Sequence, residues 1–236
     1  MKKIIIAIFL ATGLFAQNIY KVATSSGYPP FSYAKDGEFV GFDVDLINEV
    51  AKILNIKVEF MPIEFDGIIA AIKAGKIDVS PSMSETPARA KNVEFSKPYY
   101  ESINYYVKLE DNDKLNSLKD LSNGAKIGAQ LGTLQADEIS AIKGVKPFLN
   151  PEHMVFILAT INKKIDGFIL EAAVAKGYMK NYPELKVFAT TSLKSSGVCM
   201  AFKKGNTKLR DDFDNAIQIL KDNGTYQKLL EKYELN

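Results

Sequence analysis

The sequence predicts an α/β protein built as two lobes, on three observations. Strand and helix patterns alternate as βαβαβ over residues 20–79, the order expected of a parallel sheet with covering helices. The same order recurs over residues 126–189. Two segments that read as extended, 101–107 and 195–201, join the sets, so the chain leaves through one and returns through the other, as in a hinge.

Residues 20–24 form the first predicted strand, and Ser25-Ser26-Gly27-Tyr28-Pro29-Pro30 a rigid loop after it. Over 43–54 the apolar residues Val44, Leu46, Ile47, Val50, Ala51 and Leu54 recur at helical spacing. A strand is expected over 57–61. A helix follows over 66–74, with Asp66 as its N-cap and Gly75 as its stop. A short strand at 77–79 completes the first set. In the second set, 126–129, 167–170 and 185–189 read as strands, and 154–161 and 172–180 as helices. Leu131-Gly132-Thr133 turns into a further helix. The tail, 207–233, reads as two amphipathic helices broken at Asn223-Gly224. In open α/β sheets ligands bind outside the carboxyl ends of strands, so two lobes would face those ends across a cleft.

Of the 236 residues, 47% are hydrophobic and 25% charged, a globular composition. The net charge of +2, from 30 basic and 28 acidic residues, argues against a nucleic-acid partner. The single Cys199 excludes an intrachain disulfide and a Cys-based zinc site, and the single His153 excludes a multi-His metal site. Neither GxxxxGK[ST] nor GxGxxG occurs, and no metal or cofactor is expected.

Met1-Lys2-Lys3, the apolar run 4–11 and Thr12-Gly13-Leu14-Phe15-Ala16 have the three parts of a secretory signal, with cleavage expected after Ala16. The apolar run is too short for a span of about 20 residues. Export to a periplasm follows. Losing Lys2 and Lys3 leaves 28 basic and 28 acidic residues, so a mature chain has no net charge to steer a ligand.

Gly41-Phe42-Asp43-Val44-Asp45-Leu46-Ile47-Asn48-Glu49-Val50-Ala51 strongly resembles the signature of the polar-amino-acid family of bacterial solute-binding proteins. Tyr28-Pro29-Pro30-Phe31, Phe65-Asp66-Gly67-Ile68-Ile69, Gly75-Lys76-Ile77-Asp78, Thr86-Pro87-Ala88-Arg89, Phe95-Ser96-Lys97-Pro98-Tyr99-Tyr100, Gln130-Leu131-Gly132-Thr133 and Asp222-Asn223-Gly224-Thr225-Tyr226 sit in the family's order. The resemblance covers nearly the whole chain after the signal. It implies the type II periplasmic-binding-protein fold, two α/β lobes that close on an amino acid and deliver it to an inner-membrane ABC permease. The expected division is a signal over 1–16, a first lobe from 17–103 and 198–236, and a second lobe over 104–197, in a monomer.

An amino acid presents a carboxylate, an ammonium and a side chain. Arg offers a planar fork to a carboxylate, and the resemblance places the family's carboxylate-binding Arg at Arg89. Backbone N–H groups at a helix start also suit an anion, which points to Thr133 and Leu134. For the ammonium, the Ser84 hydroxyl, a carbonyl near Ser82 and an acid from the second lobe are expected. The family commonly has Asp there, whereas this chain has Glu171. Tyr28 and Phe65 occupy the positions that sandwich the ligand's side chain in the family.

Residues 78–83 look one residue shorter than the usual family segment, and Pro81 removes a donor. Ser25 stands where basic-ligand members can place an acid. Asp66 or Glu85 could still reach a distal cation, so a polar or basic amino acid is expected. The competing reading is an enzyme of the cyclohexadienyl (prephenate or arogenate) dehydratase type on the same scaffold, with Glu171 or Glu85 as general acid. His153, after Pro151-Glu152, is expected at an exposed helix start, and Cys199 as a small buried apolar residue.

Overall fold

A computed structural model describes residues 19–236. The export segment expected at 1–16 lies outside the described residues.

The chain opens with β1 (Ile19–Thr24) and a small hairpin sheet of β2 (Gly27–Tyr28), β3 (Ser32–Lys35) and β4 (Glu38–Val40). Helix α1 (Phe42–Leu54) follows, burying Phe42, Val44, Leu46, Ile47, Val50 and Ala51 on one face. It ends at Asn55, whose left-handed φ of 52° closes the helix. Gly41, just before α1, has φ 134°, and a Cβ there would fall 2.2 Å from the Phe31 carbonyl oxygen. The backbone approach that seats the hairpin on α1 therefore needs glycine.

After β5 (Lys57–Pro62), a single 3-10 turn (Phe65–Gly67) runs into α2 (Ile68–Lys73). The helix expected over 66–74 is thus split. Asp66 lies inside the turn instead of capping it, and no side chain caps either piece. Then come β6 (Val79–Ser84), the one-turn α3 (Pro87–Ala90) and β7 (Val93–Phe95). β6 runs well past the expected 79. Pro81 is accommodated because the β6 pairing with a later strand shifts register there, and Ser82 takes φ 54° beside it.

β8 (Ile103–Leu109), β9 (Lys126–Gln130), α4 (Leu134–Ser140), β10 (Lys146–Asn150), α5 (His153–Ile161), β11 (Gly167–Glu171), α6 (Ala172–Met179) and β12 (Leu185–Ser192) follow. The chain ends with β13 (Val198–Lys203), α7 (Thr207–Asp222) and α8 (Thr225–Lys232).

Two five-stranded sheets result, in the orders β5-β1-β6-β13-β7 and β10-β9-β11-β8-β12. Each has three parallel strands extended by antiparallel ones. β8 enters the second sheet and β13 returns to the first, so the chain crosses between sheets before β8 and after β12. Cys199 is fully buried in β13. No helix among the described residues is long and apolar enough to cross a membrane.

Candidate functional site

Between the two sheets lies a cavity lined from both sides. Ser25, Tyr28, Asp43, Phe65, Ser82, Ser84 and Arg89 come from the first, and Gln130, Thr133, Leu134, His153 and Glu171 from the second.

Arg89 sits on α3, whose start is set by Thr86: its hydroxyl oxygen accepts the Arg89 backbone N–H at 3.1 Å. The guanidinium donates from Nη1 to the Ser84 carbonyl at 2.7 Å and from Nη2 to the Gly132 carbonyl, across the cleft, at 2.9 Å. Two of five N–H donors are so engaged. Phe65 lies beneath the guanidinium, with Cζ 5.3 Å from the ring centroid. Burial pulls the Arg89 pKa down, and the nearby Asp137 opposes that.

On the second sheet's side of the cavity, Glu171 ends β11 where the chain turns into α6, and it is buried. Its Oε2 accepts from the Tyr28 hydroxyl at 2.7 Å. Burial raises its carboxyl to about 7, against the lowering effect of Tyr28 and Ser102. Burial likewise raises Tyr28, and the Glu171 carboxylate adds to that.

Asp43 belongs to the 43–54 helix and the Gly41–Ala51 segment of the sequence, neither of which gave it a ligand role. It is 1% exposed and lines the same cavity. Its oxygens accept from the Ser82 hydroxyl at 2.6 Å and the Tyr99 hydroxyl at 2.8 Å. Burial raises it to about 6, opposed by these two donors. Its place in the first turn of α1 favours an anion, and this is the signal that could have singled it out.

Thr133 caps α4. Its Oγ1 accepts from Ala136 N–H at 3.2 Å and donates to the Gln130 carbonyl at 2.7 Å. The Ser25 Oγ accepts from Gly27 N–H at 3.2 Å.

Three buried side-chain polar atoms have no hydrogen-bond partner among the described residues: Thr24 Oγ1, His153 Nε2 and Glu171 Oε1. All three belong to residues lining this cavity. Buried polar atoms are ordinarily satisfied, so their convergence on one space marks a polar-ligand site. No cluster of three or more potential metal ligands occurs among the described residues.

Residues 20–236 match the family described as bacterial extracellular solute-binding proteins, family 3. The chain belongs to this family. The binding protein is 41% identical to a probable histidine-binding protein of Campylobacter jejuni, over 91% of this chain and 84% of the relative. It is 34% identical to the arginine-binding extracellular protein ArtP of Bacillus subtilis, over 90% and 84% respectively. A solved structure of an ancestral arginine-binding protein bound to arginine superimposes with a TM-score of 0.87 at 36% identity, covering 91% of this chain and 97% of the other. Each of these relatives is named for binding histidine or arginine.

In this binding protein, Arg89, Ser84, Ser82, Glu171, Thr133, Leu134, Tyr28, Phe65 and Ser25 line the one cavity. Asp66 does not. It packs under Gly132 instead, where a Cβ would meet the Asp66 Cβ at 3.0 Å, and Glu85 also lies off the cavity wall. The Ser84 carbonyl and the Ser82 hydroxyl are taken by Arg89 and Asp43.

The exposed His153 expected from the sequence is corrected. It starts α5, is 3% exposed, and its ring lies against Tyr28, Phe156 and Tyr178. Pro151-Glu152 does precede a helix start, but the opposing loop of the first sheet covers it.

Proposed function

We propose that the protein is the periplasmic component of an ABC importer for a polar or basic L-amino acid, which it captures between its lobes by hinge closure. The observation that carries this reading is the pairing across one cavity of a guanidinium, Arg89, with a carboxylate, Glu171. A free amino acid carries the complementary pair on one carbon. Arg89 takes the α-carboxylate together with the N–H groups at Thr133 and Leu134. Glu171, Ser84 and the backbone near Ser82 take the ammonium, and Tyr28 and Phe65 frame the side chain. Asp43 joins this set as a second buried acid beside the ammonium position.

The lobes divide into 17–103 with 198–236, and 104–197. The crossovers expected at 101–107 and 195–201 run largely inside β8 and β13, so the hinge falls on the shorter links between β7 and β8 and between β12 and β13. Ligand meets the first lobe, and contacts from the second stabilise the closed state. Export by the 1–16 signal, a monomeric state and docking to an inner-membrane permease complete the reading. The histidine- and arginine-binding relatives support a basic ligand.

A thermal-shift screen of the twenty amino acids tests it, because a ligand bound to the native state raises the melting midpoint by mass action. Midpoints raised by one or a few basic or polar amino acids support the proposal. A flat screen refutes it, and turnover of prephenate or arogenate would establish the dehydratase alternative instead.

A further inference from the structure

His153 Nδ1 lies 2.7 Å from the Gly27 carbonyl oxygen, which also accepts from the Tyr178 hydroxyl at 2.7 Å. A carbonyl oxygen only accepts, so Nδ1 carries the proton. Burial pushes the imidazole pKa down to about 4, against the raising effect of that carbonyl, so the ring is neutral at physiological pH. In a neutral imidazole protonated on Nδ1, Nε2 is an acceptor. That atom is buried without a partner on a residue that lines the cavity.

His153 also lines a groove that continues from the cavity to the surface. Thr24, Ser25, Glu64 and Gln130 line both spaces, and Glu152 lines the groove. Glu64 comes from the first sheet's side and Glu152 from the second's. Both are exposed, so they stand at the mouth. Loss of water and the adjoining Glu152 carboxylate push the Glu64 carboxyl up. Two acidic side chains from opposite sides thus line one groove with the buried imidazole.

We infer that this end of the cavity is a subsite for the terminus of a ligand side chain bearing several N–H donors and a positive charge, a guanidinium above all. His153 Nε2 accepts one hydrogen bond there, and Glu64 and Glu152 supply counter-charge at the rim. This rests on the amino-acid reading above and assigns the specificity-determining residues within it. A carboxylate or purely apolar side chain would leave Nε2 unpaired, and a carboxylate would also face two acids.

The chain has one histidine, so its ring nitrogens report without ambiguity in a 15N spectrum. Before ligand is added, Nδ1 should be the protonated nitrogen. Adding arginine or citrulline should shift Nε2 in the direction of hydrogen-bond acceptance and leave Nδ1 in place. In calorimetry, His153→Phe should weaken arginine and citrulline alike, by about tenfold. Glu64→Gln and Glu152→Gln should weaken arginine about threefold more than the isosteric, uncharged citrulline. Tyr178→Phe also removes a donor to the Gly27 carbonyl but leaves Nε2 intact, so it separates closure from recognition by affecting all amino acids equally.

An Nε2-protonated ring, or an unmoved Nε2 at saturating arginine, overturns the inference. So does tighter binding of an amino acid without side-chain N–H groups. Absence of binding by every amino acid overturns the proposed function itself.

Discussion

The Tyr28 hydroxyl donates to Glu171 Oε2 at 2.7 Å across the cleft, joining residues 143 positions apart. The bond orients the one second-sheet acid in the cavity and leaves its other oxygen, Oε1, unpartnered. Tyr28→Phe removes a donor from a buried carboxylate and should weaken amino-acid binding by about 1–3 kcal/mol. Glu171→Gln should weaken it further. Calorimetry reads both, and unchanged binding in Glu171→Gln would reduce this residue to a helix-start role.

Arg89→Ala removes a charge-assisted fork from a partly buried site. Binding should weaken by roughly 2–5 kcal/mol, as when one partner of a buried charge pair is lost. Arg89→Lys should recover little, because an ammonium offers no planar fork and stacks less well on Phe65. Affinity equal to that of the unaltered protein in either variant would remove Arg89 from the site.

The raised carboxyls predict a pH dependence with a definite sign. Glu171 at about 7 and Asp43 at about 6 bind protons more tightly in the folded protein than in the unfolded chain. Their contribution to stability is fully present below the unfolded values and is lost as pH rises through the folded ones. For Glu171 alone this is on the order of 3 kcal/mol. Melting midpoints without added amino acid should therefore fall between about pH 5 and pH 8. With saturating ligand the fall should flatten, since an ammonium partner favours the ionised carboxylate. A midpoint that rises over this range contradicts the assignment.

Gly132 tests how closely the lobes must approach. Its φ is 78°, and a Cβ would meet the Asp66 Cβ at 3.0 Å and Cα at 3.2 Å. Gly132→Ala should cost about 1 kcal/mol of stability from the left-handed backbone alone. It should also hold the lobes apart and lower affinity, while ligand contacts made only with the first lobe persist. Small-angle scattering with saturating amino acid should show a more extended particle than the unaltered protein. An identical profile and affinity would show that the Asp66–Gly132 approach does not limit closure.

Much of the fold was legible because its signals are local. The apolar stripe of α1, the break at Asn223-Gly224 and the alternation of strands with helices depend on neighbours a few residues away. The hairpin sheet β2–β3–β4 was missed, because its strands are only two to four residues long and carry no readable alternation. The expected helix at Asp66 failed for a related reason. An Asp before an apolar run is a cap by propensity, but here the turn around it is 3-10 and the residue serves as packing for Gly132.

The sequence by itself determined the α/β class, the two sets of strands, and the residue types able to meet an amino acid's carboxylate and ammonium. Only the tertiary structure decided which polar groups lose their water. Asp43 is buried by Ser82 and Tyr99, residues 39 and 56 positions away, and His153 by a loop 126 positions away. Nothing in the residues flanking His153 distinguishes a solvated helix start from one covered by the opposite lobe. Burial is a property of the partner surface, and it turned a helix-start histidine into a neutral, buried side chain on the cavity wall.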